Sequence, residues 1–304
     1  MWIIQEKSPA DLELKVLLKD QWRLPKRYIY GLSKQQNVLL DGHYHHLKTL
    51  VRKGTMVSLK FTGQEFRSLQ YYLPDSSQRL EILFENRDLV VINKPAGIKS
   101  HPNQAQELGT VMNYLSAQLG QAYMVHRLDQ ETSGAMLVAK NPVVVPVLNQ
   151  LIAQGAIKRR YLAIVHGHFT QTQGFFDQPI GLNPQNPNLR AINGLQAQSA
   201  RSYYRVLDQN TAYSLVYLTL ETGRTHQLRV HLQASGHPIV GDPLYGQDQA
   251  KHLLLHGLQQ KLVLPFSFTT ETIVAPPPAY FTTYFPNLNQ LNLTELLYQS
   301  GHKD

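Results

Sequence analysis

From residue 80 onward, short β-branched or aromatic runs alternate with polar turns. Such runs occupy residues 89–92, 135–138, 161–165 and 202–206, and residues 214–220 alternate apolar and polar positions over a longer span. Branched and aromatic side chains fit a pleated, half-buried surface, so these runs predict strands. Apolar positions at helical spacing predict helices over 110–120, 142–153 and 226–235. Strands and helices mix without regular βαβ alternation, which indicates an α+β fold with a mixed, mostly antiparallel sheet. The proline run Pro276-Pro277-Pro278 ends the last strand, and a short terminal helix is expected over 280–298. No internal repeat is present.

The first 60 residues read differently. An amphipathic segment carries Leu14, Leu17 and Leu18, and two short strand-like runs follow, one at 38–40 with Asp41-Gly42 as its turn and one at 56–59. Lys15, Lys19, Arg23, Lys26, Arg27, Lys34, Lys48, Arg52, Lys53 and Lys60 outnumber the nearby acids. A surface of this kind suits a phosphate backbone. Residues 71–78 contain Pro74-Asp75-Ser76-Ser77, turn chemistry with nothing to bury, and mark the linker. Two domains are therefore expected, a small basic α/β module over 1–75 and a larger domain over 80–304.

Composition narrows the function. The chain has 304 residues, 42% hydrophobic content and a formal charge of +8, which favours an acidic partner. It has no cysteine, so disulfides, thiolate metal sites and cysteine nucleophiles are excluded. The first residues hold too short an apolar run for a signal peptide, and no stretch approaches the about 18 apolar residues of a membrane helix. A cytoplasmic monomer is the default expectation. His252 and His256 have the spacing of a helical zinc pair but lack the intervening glutamate and a third ligand; His166 and His168 share one strand face as many structural pairs do. Glycine-rich phosphate loops and dinucleotide fingerprints are also missing, so neither metal nor cofactor is expected.

The stretch His126-Arg127-Leu128-Asp129-Gln130-Glu131-Thr132-Ser133-Gly134 puts a carboxylate beside a guanidinium in a polar loop between apolar segments. An ionised carboxylate there can act as nucleophile or base; a lone Arg-x-Asp can equally be a turn element. Further blocks follow in order: Asn93-Lys94-Pro95-Ala96-Gly97 with His101-Pro102, Lys158-Arg159-Arg160-Tyr161, Gly223-Arg224-Thr225-His226-Gln227-Leu228-Arg229, and Gly236-His237-Pro238-Ile239-Val240-Gly241-Asp242. Together these blocks, over about residues 80–265, resemble the RluA-type pseudouridine synthases, which isomerise uridine in structured RNA. The order of N-terminal elements is similar to the S4-like RNA-binding module often found ahead of such catalytic domains.

The resemblance implies a pseudouridine synthase fold and assigns roles. Asp129 is the catalytic carboxylate, with attack on the sugar carbon, attack on uracil C6 and removal of the 2′ proton all open to it. Arg224 pairs with that Asp, and Tyr161 lies against the base. Arg127, Lys94, Lys158, Arg159 and Arg160, with Lys26 and Arg27 in the N-terminal module, are the expected RNA contacts. His126, Thr132 and Leu228 are expected around the pocket. No cofactor is implied, and ribosomal RNA is favoured over tRNA. Two rivals remain. A catalytically silent RNA-binding or ribosome-assembly protein would keep the fold without needing Asp129, Tyr161 and Arg224 together. A glycosidic hydrolase would use Asp129 and Glu131, two carboxylates roughly 5–7 Å apart, and would release free base.

Overall fold

A computed structural model describes residues 1–66, 69–246 and 248–290. The chain forms two compact units. Unit 1 comprises Met1–Gln130, Ala135–Lys158 and Gln259–Val274, and unit 2 comprises Glu131–Gly134, Arg159–Leu258 and the chain from Ala275.

Unit 1 begins with a four-stranded antiparallel sheet. Its spatial order is Trp2–Lys7, Met56–Phe61, Val38–Leu40, His43–Tyr44. The turn joining the last two strands is Asp41-Gly42, with φ of 46° and 90°. Two successive positive φ values match the twist of a tight hairpin, which is why Asp-Gly stands there. The amphipathic segment forms a short helix, Leu14–Val16, that widens into a π-turn over Leu17–Gln21. It buries Leu14, Leu17, Leu18 and Trp22. The following helix, Lys26–Lys34, buries only Ile29 and Leu32.

The rest of unit 1 places Glu81–Glu85 antiparallel to Leu89–Lys94, with strand Ser133–Ala139, which belongs to unit 1 from Ala135 on, on the other side of Leu89–Lys94. Every residue of Ser133–Ala139 is buried, as expected for a strand covered on both faces. Helix Val111–Leu119 starts at Thr110, whose hydroxyl accepts the Asn113 amide, and ends at Gly120 with φ 81°. Helix Val145–Ala153 follows Ser133–Ala139, the central strand. The Pro-Asp-Ser-Ser turn is exposed as expected, but it is fastened rather than free. Gly109 N donates to Asp75 Oδ2 (3.0 Å), Asn113 Nδ2 donates to Leu73 O (2.8 Å), and Tyr72 is buried.

In unit 2 the antiparallel strands run in the order Gln173–Phe176, Ser202–Gln209, Tyr213–Leu220, Lys158–His166. Next comes the first part of Leu255–Val263, which pairs in parallel with Ser133 and Gly134. A separate three-stranded sheet centres on Ile180–Leu182. Helix Gln227–Ala234 buries six residues, from Gln227 to Leu232. The sheet is thus mixed and mostly antiparallel, in keeping with the α+β class. The expected terminal helix is not what forms over its described part. Residues 279–290 make two 3₁₀ turns, Ala279–Phe281 and Pro286–Gln290, the second starting at a proline that cannot continue a preceding helix. Residues 291–298 of that expectation lie outside the described residues.

Candidate active site

In unit 1 the Asp129 loop runs from the short strand Tyr123–Met124 to the central strand. Both neighbours of Asp129 are clamped through their backbones. Leu128 donates its N–H to Ser100 Oγ (3.1 Å), and that hydroxyl donates back to Leu128 O (2.6 Å). On the other side, Gln130 O accepts Lys94 Nζ (2.9 Å) and Gly97 N (2.9 Å). Lys94 also donates to Pro95 O (2.9 Å) and is fully buried. Asp129 itself is half-buried.

The flanking residues of the motif divide into struts and surface. Leu137 N–H donates to His126 Nε2 (3.1 Å), so that nitrogen is an acceptor and the buried ring braces the central strand. Gln260, which donates to Ala135 O, lies 3.3 Å from the same nitrogen. Arg127 is exposed, with Nη1 3.2 Å from His101 Nε2. His101 Nδ1 lies 2.9 Å from Pro102 O, which can only accept, so Nε2 is free to accept from Arg127.

Unit 2 holds the end of the motif. Thr132 and Ser133 are buried. Ser133 Oγ lies 2.8 Å from His256 Nδ1, and His256 Nε2 lies 3.1 Å from Ala275 O. The carbonyl requires Nε2 to be the donor, so Nδ1 accepts the serine proton. Burial pushes the His256 pKa down to about 4, and the ring is neutral at pH 7. Gly134 has φ 107°, and a Cβ there would sit 2.3 Å from Gly257 O; only glycine fits.

Tyr161 is buried in Lys158–His166, in register with Leu218. Lys158 at the strand's start is half-buried. Arg224 is half-buried after Gly223, and its Nε donates to Ser199 O (2.9 Å). One buried amide organises this turn. Gln227 Oε1 accepts Arg224 N (2.9 Å) and Thr222 Oγ1 (2.8 Å), while Gln227 Nε2 donates to Arg201 O (2.9 Å) and Ser202 Oγ (2.9 Å). Leu228, next in the helix, is buried. One residue further, Arg229 forms a two-pronged ion pair with Asp242: Nε to Oδ2 at 2.8 Å and Nη2 to Oδ1 at 2.6 Å, both side chains almost wholly buried. Asp242 Oδ1 also accepts the Leu244 and Tyr245 amides. The pair thus ties the Arg224 block to the Gly-Asp-Pro turn.

The sequence-based expectations need correction at three cations. Lys94 was expected on RNA phosphates, but its ammonium is buried against carbonyls because the chain returns at Gln130 to need a donor there. Arg159 and Arg160 are likewise buried. The Arg159 guanidinium lies against the turn before Arg224, where a Cβ on Gly223 would come within 2.9 Å of Nη1. Lys26 is exposed; Arg27 is half-buried, with Nε donating to Glu65 O (2.6 Å). Gln227 and the Arg229–Asp242 pair escaped sequence reasoning. The available signal was a glutamine and an arginine inside an otherwise apolar helix face, since polar groups so placed need partners. The structure places Asp129 in unit 1 and Tyr161 and Arg224 in unit 2. Among the described residues no group of three or more His, Cys, Asp or Glu could hold a metal ion, and His166 Nε2 instead lies 2.7 Å from Asp248 Oδ2.

The chain is similar to known proteins. A family model described as RNA pseudouridylate synthase matches residues 88–234, which include Asp129, Tyr161 and Arg224. A model described as the RluD ribosomal pseudouridine synthase N-terminal domain matches residues 1–57. The uncharacterized RNA pseudouridine synthase YhcT of Bacillus subtilis is 34% identical over 286 residues, 91% of this chain and 92% of that protein. Ribosomal large subunit pseudouridine synthase D of Nitrosomonas europaea is 43% identical over 176 residues, 55% of this chain and 50% of that protein. The solved structure of human RNA pseudouridylate synthase domain containing 1 aligns with a TM-score of 0.59 at 26% identity, over 73% of this chain and 96% of that one. With similarity to a relative running along 91% of the chain and all but the last motif block inside residues 88–234, the protein belongs to the RluA-type family of RNA pseudouridine synthases.

Proposed function

We propose that this enzyme isomerises specific uridines to pseudouridine in ribosomal RNA, as a cytoplasmic monomer, with Asp129 as its catalytic carboxylate. The observation that carries the assignment is the double clamp: four hydrogen bonds fix the backbone on either side of Asp129, a rigid mount for one half-buried acid. Catalytic groups need such support, because small misplacements of a reacting group lose large factors in rate. In this reading Arg224 assists Asp129, and Tyr161 faces the uracil ring of a flipped nucleotide. The N1–C1′ bond breaks, the base turns and C5 bonds to C1′. The C5 hydrogen leaves as a proton and N1 gains one, so the reaction is balanced without a cofactor.

Ribosomal RNA is favoured over tRNA by the N-terminal match to a domain model described as ribosomal, and by relatives whose names specify the large subunit. Residues 1–75 act as the module that holds RNA, through Lys26 and Arg27, and residues 80–304 carry out the reaction. Arg127, exposed at the motif, reaches the RNA beside the reacting nucleotide.

The test uses ribosomal and transfer RNA transcripts made with 5-tritiated uridine, since moving the sugar bond to C5 expels that hydrogen. Wild-type protein should release tritium from ribosomal RNA, and Asp129→Asn should release none while binding the transcript with near wild-type affinity. An active Asp129→Asn variant would remove Asp129 from the role. Release from tRNA alone would change the substrate, and tight binding without release would leave a silent RNA-binding protein.

A further inference from the structure

Unit 1 contains a cleft of about 350 Å³ between helix Lys26–Lys34 and helix Val145–Ala153. Tyr28, Phe66, Tyr72 and Tyr123 line it, with Gln70 and Asn149 among the same lining residues. None of these residues belongs to the Asp129 loop or to the blocks that carry the chemistry. The volume lies in the range of small-ligand sites.

The polar groups in the cleft lack internal partners. Among the described residues, the hydroxyls of Tyr28 and Tyr72 and the side-chain amides of Gln70 and Asn149 make no hydrogen bond within the protein. Tyr123 differs, since its hydroxyl donates to Gln121 Oε1 (2.7 Å). Burial raises the pKa of Tyr28 to about 12 and that of Tyr72 in the same direction, so both hydroxyls remain protonated donors at neutral pH. Aromatic walls with donors and acceptors that lack partners match a flat ring bearing its own edge of donors and acceptors. That is the chemistry of a nucleobase.

The helix that forms one wall is also basic. The helix that supplies Tyr28 carries Lys26, Arg27 and Lys34 and no acidic residue. Lys26, Tyr30 and Lys34 are exposed at four-residue spacing, so they share one face of that helix, and Tyr30 is 68% exposed. Tyr28 lies two residues from both Lys26 and Tyr30, on the other side of the helix, so this basic face draws a polyanion to the helix and not into the cleft itself. We propose that this cleft takes an unpaired nucleobase of the RNA substrate, a base other than the uridine being isomerised. The proposal rests on RNA being the substrate and adds a second recognition point to it.

The test uses the full chain and a 4-thiouridine-substituted large-subunit ribosomal RNA transcript, photo-cross-linked and mapped by mass spectrometry. Adducts should fall on Tyr28, Phe66 or Tyr72. Asn149→Trp, at an exposed helix position, fills the mouth of the cleft. It should abolish those adducts and weaken transcript binding about tenfold, the size expected for one lost stacked base. The salt dependence of binding should not change, because no phosphate contact is removed. Gln70→Ala should weaken binding in the same direction, and it serves as the reporter if the tryptophan variant does not fold. Adducts confined to other regions, or wild-type affinity in the variants, would overturn the proposal. So would a cleft filled by a protein segment, which leaves no adducts there. Tritium release by wild-type protein reports separately on the functional reading, so binding and adducts without release would sink that reading and spare this one.

Discussion

A lysine is rarely buried completely unless its ammonium is bonded, and Lys94 satisfies that condition by holding Pro95 O and Gln130 O. It therefore holds the loop that carries Asp129, and its ammonium is not exposed to RNA. Lys94→Met keeps much of the side-chain length and removes the donor. It should lower kcat by about 10²-fold, as expected when a reacting group shifts slightly. RNA affinity should hold, and so should its dependence on salt; a lysine on a phosphate would instead reduce that slope by about 1. Parallel tritium-release and filter-binding assays separate the two. His256 makes a second prediction at this scale. Its folded pKa of about 4 lies below the unfolded value of roughly 6.5, so below pH 6.5 the unfolded chain binds more protons and stability falls with pH. The stability is present in full above pH 6.5 and declines toward pH 4. Between pH 7.5 and pH 5 the loss from this group is about 2 kcal/mol, and His256→Gln should flatten that part of the profile in denaturant unfolding.

At the scale of elements, the Arg229–Asp242 pair joins helix Gln227–Ala234 to the Gly-Asp-Pro turn with both charges nearly dry. Removing one partner strands the other, at about 3–5 kcal/mol. Arg229→Met should show that loss in urea unfolding. Asp242→Asn should lose less, because its carbonyl oxygen still accepts the Leu244 and Tyr245 amides. Equal and small losses for both would mean the pair does not hold the turn. Elements differ in how far the sequence revealed them. The strand at 135–138 and the helix at 110–120 were readable because composition and end residues agree: Thr110 caps one end and Gly120 closes the other. The parallel pairing of Ser133 and Gly134 with His256 and Gly257 was not readable, since an apolar run carries no label for its neighbour. The terminal helix was over-read, because spacing alone does not register Pro286.

Over the whole molecule, the candidate site was legible where its residues are contiguous and obscure where they meet through folding. Asp129 stands in an unbroken nine-residue motif. The lysine that secures its loop comes from 36 positions away along the chain. In a linear reading Lys94 is one more cation in a basic protein, and only burial distinguishes it from Lys26. That distinction also governs how the +8 charge acts. Buried or bonded cations release no counterions on RNA binding, whereas exposed ones do. Lys26 and Lys34 are exposed on a helix without an acid, so they belong to the second kind. The double variant Lys26→Gln/Lys34→Gln should reduce the slope of log Kd against log salt by roughly 2, measured with the ribosomal transcript over roughly 50–300 mM KCl. Lys94→Met in the same titration should leave the slope in place. If the double variant keeps the wild-type slope, the N-terminal helix does not face the phosphate backbone, and the basic charge of residues 1–75 only keeps the protein in solution.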